Sequence, residues 1–165
     1  MGRVIIVMGV SGVGKTTIGQ ALAERIGASF AEGDSYHPED NVEKMRSGTP
    51  LTDDDRWPWL DRLRDEIDSW LQDGQHVVLT CSALKASYRT RLKPKRGGLH
   101  FVYLNAGREK LEQRLAERKG HYMPPSLLDS QLETLEPPMD AITVDADGTI
   151  DAILLELEQK LATSP

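Results

Sequence analysis

Short apolar runs separated by longer amphipathic stretches are the dominant pattern of this chain. Residues 4–8, 76–80, 100–104 and 141–144 have the length and apolar content of buried strands, and residues 29–32 form a weaker run of the same kind. The stretches between them carry apolar residues at helical spacing. Strands alternating with helices predict an α/β fold, in which helices cover both faces of a five-stranded parallel sheet.

Helix ends are marked by glycine, proline and capping residues. The first helix follows residue 15 and ends before Gly27, and a long helix with an apolar face ends before Gly74. Residues 49–58 precede the long helix and read as a charged, turn-rich connection, in which Thr52 and Asp55 have the spacing of a helix cap. Further helices are predicted near residues 38–46, 84–92, 108–119, 126–135 and 150–161.

Length and composition indicate an ordinary globular protein. The 165 residues are 39% hydrophobic and 28% charged, which predicts a single domain spanning 1–165. No apolar run approaches the length needed to cross a membrane, and residues 1–3 lead into the first strand without a secretory signal, so we expect a cytoplasmic protein with no membrane partner. The formal net charge of −6 argues against nucleic acid as the main partner, because a phosphate backbone attracts basic surfaces.

The segment after the first strand, GVSGVGKTT at residues 9–17, matches the phosphate-binding loop pattern. In such a loop, glycines let the backbone turn so that N–H groups face a phosphate, and the helix that follows presents its positive dipole end. The lysine reaches the terminal phosphates and the hydroxyl of the next residue binds Mg²⁺. A strand, loop and helix in this order favour the motif over a chance glycine-rich turn. The predicted nucleotide-binding residues are Gly9, Ser11, Gly12, Val13, Gly14, Lys15, Thr16 and Thr17.

Two features narrow the class of nucleotide-binding protein. The chain has no Asn-Lys-x-Asp segment of the kind that reads guanine, which favours ATP over GTP. Arg114 and Arg118 share one face of a predicted helix that is followed by a proline-broken segment. A mobile lid carrying these arginines would exclude water and neutralise a transferring phosphoryl group, whereas the alternative is a basic helix face exposed to solvent.

Asp34 and His37 follow the weak second strand, at the sheet edge where ligands bind in folds of this type. Asp34 is the candidate base or hydroxyl-orienting residue, and it could instead hold Mg²⁺ through a water molecule. The alternative for Asp34 is a turn carboxylate, and the alternative for His37 is the start of a helix. Arg56, Lys85 and Arg89 could face a substrate or form surface contacts.

Several separate segments together resemble the gluconate kinases, a family of ATP-dependent kinases with a phosphate-loop fold. Besides the loop itself, the resembling segments are 32–38 (EGDSYHP) with Asn41 and Lys44-Met45, 48–60 (GTPLTDDDRWPWL), 81–85 (CSALK) with Tyr88-Arg89, and 121–123 (HYM) with Leu127-Leu128, Ser130-Gln131 and residues 134–137 (TLEP). The match covers about residues 3–138, and the segments outside the loop are specific as a set.

The resemblance implies transfer of the ATP γ-phosphate to the 6-hydroxyl of D-gluconate and a requirement for Mg²⁺, for which the candidate ligands are Thr16 and Asp34. It also implies a cytoplasmic enzyme, commonly a homodimer, and a helical lid at about residues 118–132. Lys15, Asp34 and Arg118 are the predicted catalytic residues. Gluconate carries a carboxylate and several hydroxyls, and the candidates for binding it are Asp34, His37, Lys44, Arg56, Lys85, Arg89 and His121. Which cation holds the carboxylate stays open.

Two other interpretations compete with this one. A kinase of the same class could act on another small acceptor, such as shikimate or a nucleoside. A nucleotide-dependent switch or binding module that hydrolyses ATP slowly would need no small acceptor. Dependence of ADP release on an added acceptor separates the two kinds of protein.

Overall fold

A computed structural model of the protein describes residues 2–117 and 125–163. Its sheet has five strands, and every pairing between them is parallel. The strand order across the sheet is β2-β3-β1-β4-β5. The strands are β1 (Arg3–Met8), β2 (Ser29–Glu32), β3 (His76–Thr80), β4 (Leu99–Asn105) and β5 (Ile142–Asp145). The predicted parallel sheet is therefore confirmed, including its weak second strand.

Helices connect consecutive strands, as the alternating pattern predicts. A single 3₁₀ turn, Gly33–Tyr36, follows β2. The helices are α1 (Lys15–Ile26), α2 (Glu39–Arg46), α3 (Asp53–Gln72), α4 (Ala86–Leu92), α5 (Arg108–Glu117), α6 (Pro125–Thr134) and α7 (Ile150–Thr163). None of the helices in the described ranges is long and apolar enough to span a bilayer.

The alternation of side chains along β1 separates two hydrophobic cores. Ile5 and Val7 point to one face of the sheet, where they pack in a cluster with apolar residues of α1, α5, α6 and α7. Val4, Ile6 and Met8 point to the other face and pack with α3 and α4. Because both faces are covered, β1 is apolar at every position from Val4 to Met8, which is why it reads as a continuous run rather than an alternating one.

The start of α3 differs from the prediction. Residues 49–58 were expected to form a connection, but α3 begins at Asp53 and includes Pro58 in its interior. Proline lacks the N–H that would bond within the helix. A complete capping box between Thr52 and Asp55, with distances of 2.9 and 3.1 Å, and the burial of Trp59 and Leu60 in the core stabilise this first part of the helix. The capping prediction was correct, and the helix begins at Asp53, about two turns before Leu60, where its apolar pattern begins.

Candidate active site

The phosphate loop lies between the carboxyl end of β1 and the first turn of α1. Gly9, Gly12 and Gly14 all have positive φ angles, of 148°, 87° and 102°. A Cβ atom on Gly9 would lie 2.8 Å from the carbonyl oxygen of Leu104, so this position excludes any side chain on steric grounds as well as by backbone angle. The glycines of the motif are thus needed for the shape of the loop.

Polar contacts fix the two residues of the loop that carry chemistry. The Lys15 ammonium donates to the carbonyl oxygens of Gly9 and Val10, at 2.9 and 3.1 Å, and therefore lies over the beginning of the loop. The Thr16 hydroxyl donates to Oε1 of Glu32 at 2.8 Å, and the Thr80 hydroxyl donates to Oε2 of the same carboxylate at 2.7 Å. Glu32 thus connects the loop to the ends of β2 and β3.

Close packing of β2 against β3 places Asp34 near this carboxylate. A Cβ atom on Gly33 would lie 2.1 Å from the carbonyl oxygen of Thr80, so only glycine lets the chain pass here. The Gly33 N–H donates to the Thr80 hydroxyl at 3.3 Å, and its carbonyl accepts from the Trp59 indole at 2.8 Å. The 3₁₀ turn that carries Asp34 is therefore held on both sides.

A cavity of about 360 Å³ joins the phosphate loop to the residues that follow β2. Ser11, Gly12, Gly14, Lys15, Thr16 and Thr17 line one side of it. Asp34, His37 and Arg56 also line it, and we call these three residues the acceptor wall. Leu127, Ser130, Gln131 and Thr134 of α6 also line the cavity. The volume is within the range of small-molecule sites.

Within the acceptor wall, His37 is held by stacking and hydrogen bonding. Its ring stacks on Trp59 with a centroid distance of 3.9 Å. Asn41 Nδ2 donates to the Asp55 carbonyl oxygen at 2.8 Å, which fixes the amide orientation, so His37 Nδ1, 3.2 Å from the same nitrogen, is the acceptor. The proton of the neutral ring is then on Nε2, 3.7 Å from Asp34 Oδ1. The Asp34 side chain is 78% exposed, and Asp34 is among the residues that line the cavity.

Arg56 reaches the cavity from a polar cluster. Its guanidinium donates to the Tyr88 hydroxyl at 2.8 Å, and that hydroxyl donates to the Asp53 carboxylate. The Lys85 ammonium donates to both oxygens of Asp53 at 3.1 Å. The hydrogen bond from Tyr88, followed by that from Lys85, lowers the pKa of Asp53, and the same carboxylate raises the pKa of Lys85.

The remaining predicted substrate cations are engaged with other groups of the protein. Lys44 donates to Asp55 at 2.8 Å, which lowers the pKa of Asp55 to about 2. Arg89 is only 7% exposed and donates to the carbonyl oxygens of Ala83, Leu84 and Glu136, at 2.8 to 3.2 Å. Among the described residues, the cavity lining includes Arg56 but not Lys44, Lys85 or Arg89. Direct contact of these three with a substrate stays a prediction.

A second cavity, of about 310 Å³, lies beside the first turn of α1. Gly12, Val13, Gly14, Thr17 and Arg114 line it together with residues that follow β5. Arg114 donates to the carbonyl oxygens of Val13 and Ala146, at 3.0 and 2.6 Å. Arg114 therefore contacts the phosphate loop directly, and its binding of nucleotide stays a prediction. Arg118 and His121 lie outside the described residues.

Sequence reasoning gave no role to two residues that contact the loop. Glu32 bonds to Thr16, and the Gln131 amide bonds to both the backbone N–H and the hydroxyl of Ser11, at 2.8 and 3.0 Å. Both residues belong to segments that carry the family resemblance. Their place in those segments was the one sequence feature that could have indicated a role. The contacts themselves join positions 16 and 120 residues apart, and no local pattern predicts them.

Comparison with known proteins agrees with this geometry. A family model described as an AAA domain matches residues 4–138. The chain is 49% identical to the gluconokinase of Gluconobacter oxydans, over 94% of this chain and 89% of that protein. Its structure is similar to a crystal structure of a gluconokinase from Sinorhizobium meliloti, with a TM-score of 0.88 and 46% identity over 97% of this chain and 91% of that one.

A more distant neighbour, the shikimate kinase of Bacteroides thetaiotaomicron, has a TM-score of 0.69 at 20% identity, over 97% of this chain and 98% of that one, and shares the fold alone. The regions aligned with these two gluconokinases cover more than nine tenths of this chain. This chain therefore belongs to the gluconokinase family of phosphate-loop kinases.

Proposed function

We propose that the protein transfers the γ-phosphoryl group of ATP to the 6-hydroxyl of D-gluconate, giving 6-phosphogluconate and ADP. The observation that carries the proposal is that the phosphate loop and Asp34, His37 and Arg56 line the same cavity. Relatives named gluconokinase, 39–49% identical over most of their length, support gluconate as the acceptor.

The loop supplies the donor side of the reaction. The backbone N–H groups at the start of α1 and the α1 dipole bind the phosphates, and Lys15 leaves its carbonyl contacts to neutralise the transferring group. Arg114 supports the loop from its outer side, and Arg118 adds positive charge from the predicted lid at residues 118–132. Phosphoryl transfer depends mainly on positioning and charge neutralisation, and these residues provide both.

Mg²⁺ fits the oxygen atoms at the end of β2. Mg²⁺ prefers hard oxygen ligands and is held by one or two carboxylates together with substrate phosphates. Thr16 provides a hydroxyl, Glu32 already bonds to that hydroxyl, and Asp34 lies two residues further on. No cluster of three or more acidic, histidine or cysteine ligands is found in the described ranges, so most of the coordination would come from phosphate and water. When bound, the ion would neutralise phosphate charge.

Asp34 is proposed to orient the 6-hydroxyl and to accept its proton. Its carboxylate is exposed, lines the same cavity as Lys15, and lies 3.7 Å from the Nε2 atom of His37. His37 can donate a hydrogen bond to a substrate hydroxyl through that nitrogen. Asp34 could also hold Mg²⁺ through water, and the two roles are compatible.

Arg56 is proposed to bind the gluconate carboxylate. It is the guanidinium of the acceptor wall, and a planar guanidinium can bind a carboxylate through two hydrogen bonds. The Tyr88 hydroxyl holds one of its nitrogens, so its position is set before substrate arrives. Lys85 and Lys44 neutralise Asp53 and Asp55 behind it, and Arg89 fixes the segment after β3. On the basis of the family resemblance, we also propose that His121 binds gluconate, that the enzyme forms a homodimer and that it is cytoplasmic.

An acceptor panel tests the proposed function. ADP release is measured with ATP and Mg²⁺ in the presence of gluconate, other sugar acids, shikimate or nucleosides. We expect fast release only with gluconate or a close sugar acid. Equal ADP release without acceptor would contradict a kinase, and faster turnover with shikimate would assign a different acceptor.

A further inference from the structure

The Gln131 amide holds the phosphate loop at a defined point. Its Oε1 atom lies 2.8 Å from the Ser11 backbone nitrogen, and its Nε2 atom lies 3.0 Å from the Ser11 hydroxyl. A backbone N–H can only donate, so the amide atom that faces it must be the oxygen. This fixes the orientation of the amide and makes Nε2 the donor to the Ser11 hydroxyl, and both residues line the cavity.

This point of the loop is where the terminal phosphate belongs. The Lys15 ammonium rests on the carbonyl oxygens of Gly9 and Val10, immediately before Ser11, and the lysine of this motif serves the β- and γ-phosphates. Ser11 and Gln131 both line the cavity that contains Asp34 and Arg56. Gln131 therefore lies at the boundary between the donor phosphate and the acceptor wall.

We propose that Gln131 binds the γ-phosphate of ATP through Nε2 and thereby distinguishes ATP from ADP. The amide nitrogen carries two hydrogens, and the Ser11 hydroxyl accepts one of them. No other described residue accepts a hydrogen bond from this nitrogen, which allows the second hydrogen to bond to a phosphoryl oxygen. A neutral donor next to Lys15 adds a hydrogen bond to the charged group without adding further positive charge. The inference rests on the proposed function in taking ATP as the phosphoryl donor.

Two substitutions separate this role from a purely structural one. Gln131→Met keeps the length of the side chain and removes all of its hydrogen bonds. Gln131→Glu keeps both contacts with Ser11, because the Ser11 N–H and O–H can each donate to a carboxylate, but it places negative charge beside the γ-phosphate. If Gln131 only ties α6 to the loop, the Glu variant should behave as the unaltered protein does.

The test is calorimetric binding of ADP and of a non-hydrolysable ATP analogue, each with Mg²⁺. We expect Gln131→Met to weaken binding of the analogue about tenfold, as for the loss of one hydrogen bond to a charged group, and to leave ADP affinity within about twofold. Gln131→Glu should weaken analogue binding further. Gln113→Met and Gln113→Glu, on the exposed surface of α5, are the matched controls.

Equal changes for both nucleotides, unchanged analogue binding in Gln131→Met, or a Glu variant with unaltered binding would each overturn the inference. Thermal unfolding checks that the variants are folded, and Gln131→Glu remains informative if the Met variant is not, since it retains the contacts with Ser11. Because no acceptor is present, failure of this test is distinct from failure of gluconate phosphorylation.

Discussion

The phosphate loop and the acceptor wall line the same cavity, but the loop is one continuous segment and the acceptor wall combines residues from separate segments. The loop is made from nine consecutive residues, 9–17, and its shape follows from backbone angles at three glycines. The acceptor wall is made from side chains that follow β2 and begin α3, and other residues bring each of them into position. His37 depends on Asn41 and Trp59, and Arg56 depends on Tyr88.

This difference explains how each region responds to a change of sequence. In the loop, one local substitution removes a group that we propose to contact phosphate. In the acceptor wall, a substitution can act directly on the substrate or only on a supporting ion pair. Substitutions in the two regions should therefore separate into large effects on turnover and smaller effects on substrate affinity or stability.

The largest effect is expected on the loop side, from Lys15→Ala. Loss of the ammonium at the transferring phosphoryl group should lower kcat by at least ~100-fold, the scale seen when a single group that stabilises transition-state charge is removed. Steady-state kinetics with saturating ATP and gluconate measures the loss. Lys95→Ala, at an exposed lysine, is the control and should retain full turnover. A kcat in Lys15→Ala within threefold of that of the unaltered enzyme would contradict a catalytic role for the loop lysine.

Asp34→Asn carries the next largest effect and tests the catalytic part of the acceptor wall. The amide keeps the size of the side chain but cannot take a proton, so kcat should fall about 100-fold while ATP and gluconate still bind. Calorimetry for binding and steady-state kinetics for kcat separate the two. A near-normal kcat would refute both roles of Asp34, and recovery of turnover by excess Mg²⁺ would favour the metal role over the base role.

The two regions also differ in how far the sequence predicts them. The parallel sheet, all five strands and the glycines of the loop could be predicted, because apolar runs and the phosphate-loop spacing are local properties of the chain. The start of α3 was placed too late, because Pro58 and the charged residues around it resemble a connection when their burial and capping contacts are unknown.

The cations of the acceptor side could not be sorted from the sequence. Lys44, Arg56, Lys85 and Arg89 look equivalent there, since each is a basic residue in a segment of the family pattern. In the folded chain, Lys44 and Lys85 form ion pairs with aspartates, and Arg89 donates hydrogen bonds to three carbonyl oxygens. Arg56 lines the cavity. Several of those partners lie 11, 32 or 47 positions away in the sequence, and the contacts of Glu32 and Gln131, across 16 and 120 positions, were missed for the same reason.

Comparison of Arg56→Ala with Lys44→Ala tests which of the two cations binds the gluconate carboxylate. If Arg56 holds the substrate carboxylate, its loss should raise KM for gluconate at least about tenfold, the scale of one hydrogen-bonded charge pair. Lys44→Ala removes the partner of Asp55, outside the cavity lining in the described part of the chain, and should change KM by less than about threefold. Initial rates over a range of gluconate concentrations measure both. The reverse order would assign the carboxylate to Lys44.

The smallest expected effect concerns the support behind the acceptor wall and appears in acid. The hydrogen bond from Lys44, followed by those from Thr52, lowers the pKa of Asp55 to about 2, below the ordinary value of 3.8. A carboxyl whose pKa is lower in the folded chain stabilises the fold above its unfolded pKa and loses that contribution as the pH falls through its folded pKa. The Asp55 contribution should therefore be complete at pH 5, begin to decline below about pH 4, and be largely lost near pH 2.

Urea unfolding at pH 5 and pH 3 should show a smaller loss of unfolding free energy in Asp55→Asn than in the unaltered protein, because the amide does not titrate. Asp54→Asn, at the exposed neighbouring carboxylate of the same helical turn, is the matched control and should retain the pH dependence of the unaltered protein. Identical pH dependence in Asp55→Asn and the unaltered protein would mean that the Lys44–Asp55 pair does not stabilise the folded chain.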